Sequence, residues 1–147
     1  MVCLGNICRS PLAEGILKRM AEKRGLNWEI DSAGTGSWHT GSQPDKRSIE
    51  VAAKYGIDIT YQRARKVRST DFEEFDLIYA MDNANYDDLI RLSIGEEERQ
   101  KIKRILDETH PGQLRSVPDP YWNDNGFEEV FSMLTKACEA IISRHEK

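Results

Sequence analysis

A chain of 147 residues has length for one domain with a real core and no room for a second. Its 39% hydrophobic and 31% charged content is that of an ordinary globular domain, and its apolar runs are too short to span a membrane. A formal net charge of −4 argues against nucleic-acid binding, which needs a basic face.

The opening Met-Val-Cys-Leu-Gly-Asn lacks the charged and long apolar stretches of a signal peptide. Three cysteines, Cys3, Cys8 and Cys138, do not make a disulfide framework, so a reducing, cytoplasmic setting is expected. Charge is unevenly spread. Arg63, Arg65, Lys66 and Arg68 crowd one stretch and Glu96, Glu97 and Glu98 another; both read as solvated surface.

Met1 and Val2 run into Cys3 as the end of a strand. Such a strand has about 5–6 residues, so it is expected to begin before Met1. From Pro11 to Arg24 the apolar residues Leu12, Ile16, Leu17 and Met20 recur on one helix face. Ser10 can cap that helix, Pro11 suits its first turn and Gly25 its end. Trp28 to Ser32 reads as a short strand, followed by a loop rich in Gly, Ser and Thr up to Pro44. Asp45 starts a second helix, with Ile49, Ala52 and Ala53 inward, that ends at Gly56. Thr70-Asp71-Phe72-Glu73 has capping-box spacing and predicts a helical turn. Phe75 to Met81 reads as a buried strand, Asn83 to Leu92 as a helix and Ile102 to Leu106 as a fourth strand. In Gly126 to His145, Phe127, Val130, Phe131, Leu134, Cys138, Ile141 and Ile142 form one stripe. Strands alternating with helices predict an α/β fold spanning residues 1–147 as a small three-layer domain. Its four-stranded parallel sheet is flanked by helices on both faces, with the loop Cys3–Ser10 between the first strand and the first helix.

That loop carries the chemistry. Cys3-Leu4-Gly5-Asn6-Ile7-Cys8-Arg9-Ser10-Pro11 sets a cysteine and an arginine with five residues between them, directly before a helix. A loop this short can wrap one phosphate, with the backbone N–H groups of Leu4 to Cys8 turned inward as a nest. Gly5 frees the backbone for a positive φ or a close approach. The helix adds its unpaired N–H groups and positive end, and Arg9 a planar fork for two phosphate oxygens. The same positive field favours the thiolate of Cys3, the nucleophilic form. Ser10 can donate a hydrogen bond to that sulfur, and Asn6 holds the loop in shape. The alternative is an ordinary strand-to-helix turn with a buried Cys3.

Cys3 to Glu14, reading CLGNICRSPLAE, resembles the signature of low-molecular-weight protein tyrosine phosphatases. The likeness runs along essentially the whole chain, through Asp31-Ser32-Ala33-Gly34-Thr35, Asp71-Phe72…Phe75-Asp76-Leu77-Ile78…Met81-Asp82…Asn85 and Asp119-Pro120-Tyr121. The resemblance implies hydrolysis of phosphotyrosine through a phosphocysteine, with Cys3 as nucleophile and Arg9 as phosphate clamp. Asp119 is one acid among 25 by sequence alone; it matches the aspartate that serves the family as general acid and then base. Tyr121 and Trp38 match the family's two aromatic walls, where rings stack on the phosphotyrosine ring; a surface ring packing its own loop is the other reading of Trp38. Trp122 stands where the family often has a second tyrosine. The implied partners are a tyrosine-phosphorylated protein or peptide, with inorganic phosphate or vanadate as competitors. No cofactor, metal, nucleic acid or membrane is implied.

The remaining candidates are less pointed. Cys8 either traps oxidised Cys3 as a reversible disulfide, as in some family members, or is a small buried loop residue. Cys138 falls on the apolar stripe of the last helix and reads as core. His39, His110 and His145 lie in loops or near the chain end without ligand spacing. Asp82 and Asn85 follow a strand end, where they brace the loop or simply cap a helix. Two rivals share the scaffold. A thiol-coupled arsenate reductase needs relay cysteines, and none lies between Cys8 and Cys138. A protein-arginine phosphatase typically has threonine at the position of Ile7, where a branched apolar side chain favours the ester. A phosphate carrier generally lacks the arginine.

Overall fold

The structure, a computed structural model, describes residues 1–146. Four parallel strands, β1 (Val2–Cys3), β2 (Ala33–Gly34), β3 (Ile78–Ala80) and β4 (Ile102–Arg104), form one sheet in the order β2-β1-β3-β4. Six helices complete it: α1 (Arg9–Lys23), α2 (Lys46–Lys54), α3 (Asp71–Glu74), α4 (Asn83–Leu92), α5 (Gly95–Lys101) and α6 (Gly126–His145). Among these residues no helix is long and apolar enough to cross a membrane.

The pleat of the strands divides the core in two. Cys3, Tyr79 and Met81 point to the face covered by α1, α2 and α6, where Leu12, Ile16, Val130, Leu134 and Ile141 are buried. Val2, Ile78 and Ala80 point the other way, onto Phe72 of α3 and Leu89 of α4. Side chains alternate faces along a strand, so a parallel sheet buried on both sides needs apolar residues at consecutive positions. Ile78-Tyr79-Ala80-Met81 provides them. The expected α/β architecture is therefore the one observed.

Its edges depart from expectation for physical reasons. The second ladder lies at Ala33–Gly34, not at Trp28–Ser32, because pairing follows β1: Val2 sits opposite Ala33 and Cys3 opposite Gly34. β3 is shorter than Phe75–Met81, since Phe75 closes α3, and β4 passes at Ile105 into a 3-10 turn. Helix α5 is an addition, where an acidic run had read as surface. None of its residues is buried, so it leaves no apolar stripe to read. Glu96, Glu97 and Glu98 occupy its first turn, where carboxylates suit the positive helix end, and Glu98 accepts from the Ile94 N–H at 2.8 Å.

Two expected caps are corrected. α1 begins at Arg9, with Cys8 at its cap position and no side chain capping it; Ser10 lies inside the helix and its hydroxyl is used elsewhere. Thr70 does not cap α3, because its backbone is already in the α region; Asp71 accepts the Arg68 N–H at 2.8 Å instead. Asp45 does cap α2, accepting the Arg47 N–H at 2.9 Å.

Candidate active site

Cys3 closes β1 at the C-terminal edge of the sheet, and the loop it opens ends on the N-terminus of α1. Ligand crevices in open α/β sheets lie at this edge. The first turn of α1 carries no acidic side chain and no side-chain cap, so its N–H groups and positive end are left open to an anion.

The bend of the loop falls on Asn6, whose φ is 57°, rather than on Gly5. A non-glycine residue in this region is strained, and the buried Asn6 side chain holds it there with three hydrogen bonds. Its Nδ2 donates to Ser10 Oγ (2.9 Å) and Ser32 Oγ (3.0 Å), and its Oδ1 accepts from the Arg65 N–H (3.0 Å). Ser32 in turn donates to Glu14 at 2.7 Å, a buried carboxylate on α1 that also receives Tyr61 and Lys18. Gly34 is needed where β2 passes beneath: a Cβ there would stand 2.7 Å from the Leu4 carbonyl oxygen. Gly5 serves the close approach, since its Cβ would meet the His39 ring at 3.1 Å.

Cys3 is buried, and its Sγ lies 3.0 Å from Ser10 Oγ. Ser10 Oγ already accepts from Asn6, and its other contact, the Ala33 carbonyl, is 3.5 Å away. Its proton is thus best placed for the sulfur. Arg9 is also buried. Its Nη1 donates to Asp82 Oδ2 at 2.6 Å and to the Val117 carbonyl at 3.1 Å, while Nη2 lies 3.8 Å from Asp119 Oδ2. Its Nε has no partner among the described residues. Burial opposes the guanidinium's charge, but Cys3, the Asp82 hydrogen bond and Asp119 outweigh it and hold the group above its ordinary value. Asp82 fills both roles suggested for it: Oδ2 holds Arg9 and Oδ1 caps α4 by accepting the Asn85 N–H at 2.7 Å.

Asp119 stands across from this loop, before a 3-10 turn at Pro120–Trp122, and accepts the Tyr121 N–H at 3.1 Å. A cavity of about 290 Å³ separates the two. Of the expected site residues, Cys3, Leu4, Gly5, Ile7, Cys8, Arg9, Trp38, Asp119 and Tyr121 line it, with Asn6 and Ser10 bracing the loop behind. His39 and Trp122 line it too, which sequence reasoning missed. The available signal was adjacency: each follows a predicted wall residue. Trp122 is 87% exposed and meets Tyr121 edge-on at 4.8 Å.

A larger cavity of about 400 Å³ opens beside Met1, Trp28 and Leu77, at the N-terminal ends of the strands. Cys3, Arg9 and Asp119 are not part of it, so it offers no comparable chemistry. All three cysteines are free thiols. Burial, then Asp45 and Cys3, pushes the Cys8 thiol up to about 12. Burial does the same to Cys138, which packs under α1 with its sulfur 3.8 Å from the Ala13 carbonyl. Among the described residues no group of three or more His, Cys, Asp or Glu side chains is gathered to hold a metal ion.

The site can thus bind a small anion between a helix end and a guanidinium, with a thiol below it and a carboxylic acid above. The family model for low molecular weight phosphotyrosine protein phosphatases matches residues 1–147. The chain belongs to that family. Membership makes it a hydrolase, a protein-tyrosine-phosphatase acting on phosphoproteins. Low molecular weight protein-tyrosine-phosphatase YfkJ of Bacillus subtilis is 43% identical over 148 residues, covering 99% of this chain and 94% of the relative. A crystal structure of a protein tyrosine phosphatase from Entamoeba histolytica has a TM-score of 0.91 at 41% identity, covering 99% and 94% of the two chains. A Drosophila arginine phosphatase has the same TM-score at 32% identity, covering 99% and 96%. The names of these similar proteins thus point to two phosphorylated side chains, tyrosine and arginine.

Proposed function

We propose that one domain of residues 1–147, in a reducing cytoplasmic compartment, hydrolyses protein phosphotyrosine by two displacements through a phosphocysteine. The observation that carries this reading is the meeting of Cys3, Arg9 and Asp119 on one cavity at the open end of α1. The Cys3 thiolate attacks phosphorus, forming the S–P bond as the P–O bond to the phenol breaks. Arg9 and the amides of Leu4 to Cys8 hold the equatorial oxygens, where transition-state charge resides. Asp119 gives its proton to the departing phenoxide, then takes one from the water that attacks phosphocysteine. Inorganic phosphate leaves, and the Ser10 hydroxyl stabilises the returning thiolate at 3.0 Å. Trp38 and Tyr121 flank the phenol ring, and phosphate or vanadate competes for the loop.

A second reading is supported by the likeness to the arginine phosphatase: the same groups cleaving a P–N bond. Ile7, a branched side chain on the cavity wall, favours the ester. The lack of any cysteine between Cys8 and Cys138 weighs against a reductase relay.

Turnover of p-nitrophenyl phosphate by the wild type, Cys3→Ser and Asp119→Ala tests the mechanism. The serine variant should show none, and the alanine variant should lose roughly 10²–10⁴-fold in rate. Full activity in Cys3→Ser would end the phosphocysteine reading. A panel of tyrosine, arginine and serine phosphopeptides separates the substrates; preference for phosphoarginine would replace the ester reading with its rival.

A further inference from the structure

Asp119 must reach over the phosphate loop, yet little holds it. Its side chain is 39% exposed, the Tyr121 N–H is its one hydrogen bond among the described residues, and Arg9 Nη2 is 3.8 Å away. The segment from Asp119 to Asp124 that carries it runs along the surface. A side chain from a different element, α2, also reaches this segment.

The first turn of α2 hangs on the phosphate loop. The Asp45 N–H donates to the Ile7 carbonyl at 2.8 Å, and Ser48 Oγ to the Cys8 carbonyl at 3.3 Å. From this turn Arg47 reaches both ways. Its Nε and Nη2 take the two oxygens of Asp45 at 3.0 and 2.9 Å as a planar fork, and Nη1 donates to Asp124 Oδ1 at 2.5 Å. Its guanidinium carbon lies 5.5 Å from the centre of the Tyr121 ring and 4.6 Å from that of Phe127. An isolated exposed ion pair would do little. A fork that also packs on two rings has one geometry, which a lysine cannot reproduce.

We infer that Arg47 is a positioning residue that ties the Asp119–Asp124 segment to the phosphate loop and so sets the reach of the general acid. Arg47 touches no reacting atom; it acts through Asp119, and the inference rests on Asp119 being the acid. Correct proton transfer needs a hydrogen bond to the leaving oxygen, and a displacement of about 1 Å costs roughly 10²-fold. Loss of Arg47 therefore hurts most where the leaving group most needs a proton.

The test is kcat/KM for aryl phosphates of rising leaving-group pKa, from p-nitrophenyl to phenyl phosphate, together with the inhibition constant of inorganic phosphate. Arg47→Met should lose about tenfold more on phenyl than on p-nitrophenyl phosphate, with Arg47→Lys between it and the wild type. The phosphate constant should move by less than about twofold, since the loop binds phosphate without the acid. In an Asp119→Asn background, Arg47→Met should add less than about a further twofold. A loss equal across leaving groups, or one that multiplies fully in the double variant, would overturn the inference while leaving the hydrolytic reading intact. An Asp119→Asn variant with no leaving-group dependence would instead sink that reading and this inference with it. Should Arg47→Met fail to fold, Asp124→Ala removes only the arm at a carboxylate that is 83% exposed; the same trend at smaller size is expected, and no trend refutes the coupling.

Discussion

The two walls of the cavity are built on opposite plans. The phosphate loop is buried apart from Leu4 and Gly5, and its polar side chains are spent on fixed partners: Asn6 on Ser10, Ser32 and the Arg65 backbone, and Arg9 on Asp82 and Val117. The segment opposite it is exposed from Asp119 to Asp124 apart from Pro120 and Tyr121, and is tied down from its edges. A site that binds a dianion gains from donors that need no rearrangement at the moment of reaction. On the proposed mechanism the acid serves a departing phenol and then an arriving water, and such a group gains from a wall that water can reach. Damage to the first wall should therefore appear as lost binding and stability, and damage to the second as lost leaving-group assistance.

The largest effect that would separate the walls is expected at Arg9. Lysine keeps the charge but has no planar fork to hold Asp82, the Val117 carbonyl and two phosphate oxygens together. Arg9→Lys should lower kcat/KM for p-nitrophenyl phosphate by roughly 10²–10³-fold and weaken vanadate inhibition in parallel. Activity within a few-fold of wild type would mean that the loop amides alone suffice, and that the buried wall is less committed than its hydrogen bonds suggest.

Next in size is Asn6. Asn6→Ala removes three hydrogen bonds while leaving a residue at a φ of 57°; Asn6→Gly removes the same bonds but relieves the backbone. Alanine should cost roughly 1–3 kcal/mol of stability in denaturant unfolding, for buried groups left unpaired and a strained φ, and glycine less. If both cost the same, the strain at Asn6 is negligible and the side-chain network alone shapes the loop.

The same contrast decides how far the sequence could be read. The Cys3–Ser10 loop was legible because its chemistry is local: nucleophile, arginine and helix start fall within eight residues, and the stripes of α1 and α6 name the core face beside them. The opposite wall was legible only at Asp119, Tyr121 and Trp38, which a resemblance supplied. His39 and Trp122 reach the cavity because loops about 80 residues apart converge there, and nothing in either local pattern announces that. Arg47 was hidden for the same reason: Asp45 is its neighbour at the start of α2, but Asp124 lies 77 residues along the chain on another segment. Ser10 read both as a cap and as a donor to the Cys3 sulfur, and its burial inside α1 beside Cys3 leaves it the second task. Strand ends and α5 escaped because pairing length depends on a partner strand, and a surface helix has no apolar face.

A smaller effect probes the exposed wall at its rim. Trp122 is 87% exposed and edge-on to Tyr121, so it has area to offer a substrate beyond the phenol ring. Aromatic contacts of this kind are worth about 0.5–1.5 kcal/mol, so Trp122→Ala should raise KM for a phosphotyrosine peptide by about 2–10-fold more than for p-nitrophenyl phosphate. Equal changes on both would place the indole outside the peptide's path.

The last effect is read in stability rather than turnover; it returns to the buried side of the molecule and concerns pH. Folded Cys8 and Cys138 hold their protons up to about 12, chiefly because burial penalises the thiolate. In the unfolded chain a thiol ionises near about 8.5. The unfolded state thus binds fewer protons than the folded one between these values, so stability falls as pH rises there and is fully present below about 8.5. Thermal midpoints should be flat from pH 7 to 8.5 and decline towards pH 10.5, and the decline should be shallower in a Cys8→Ala, Cys138→Ala variant. An equally steep decline in that variant would move the cause to another buried acid, with Tyr79 first in line: burial and its hydrogen bond to Glu108 push its phenol upward as well. The linkage would then sit at the far end of the core from the phosphate loop, and the buried wall would owe nothing to its second thiol.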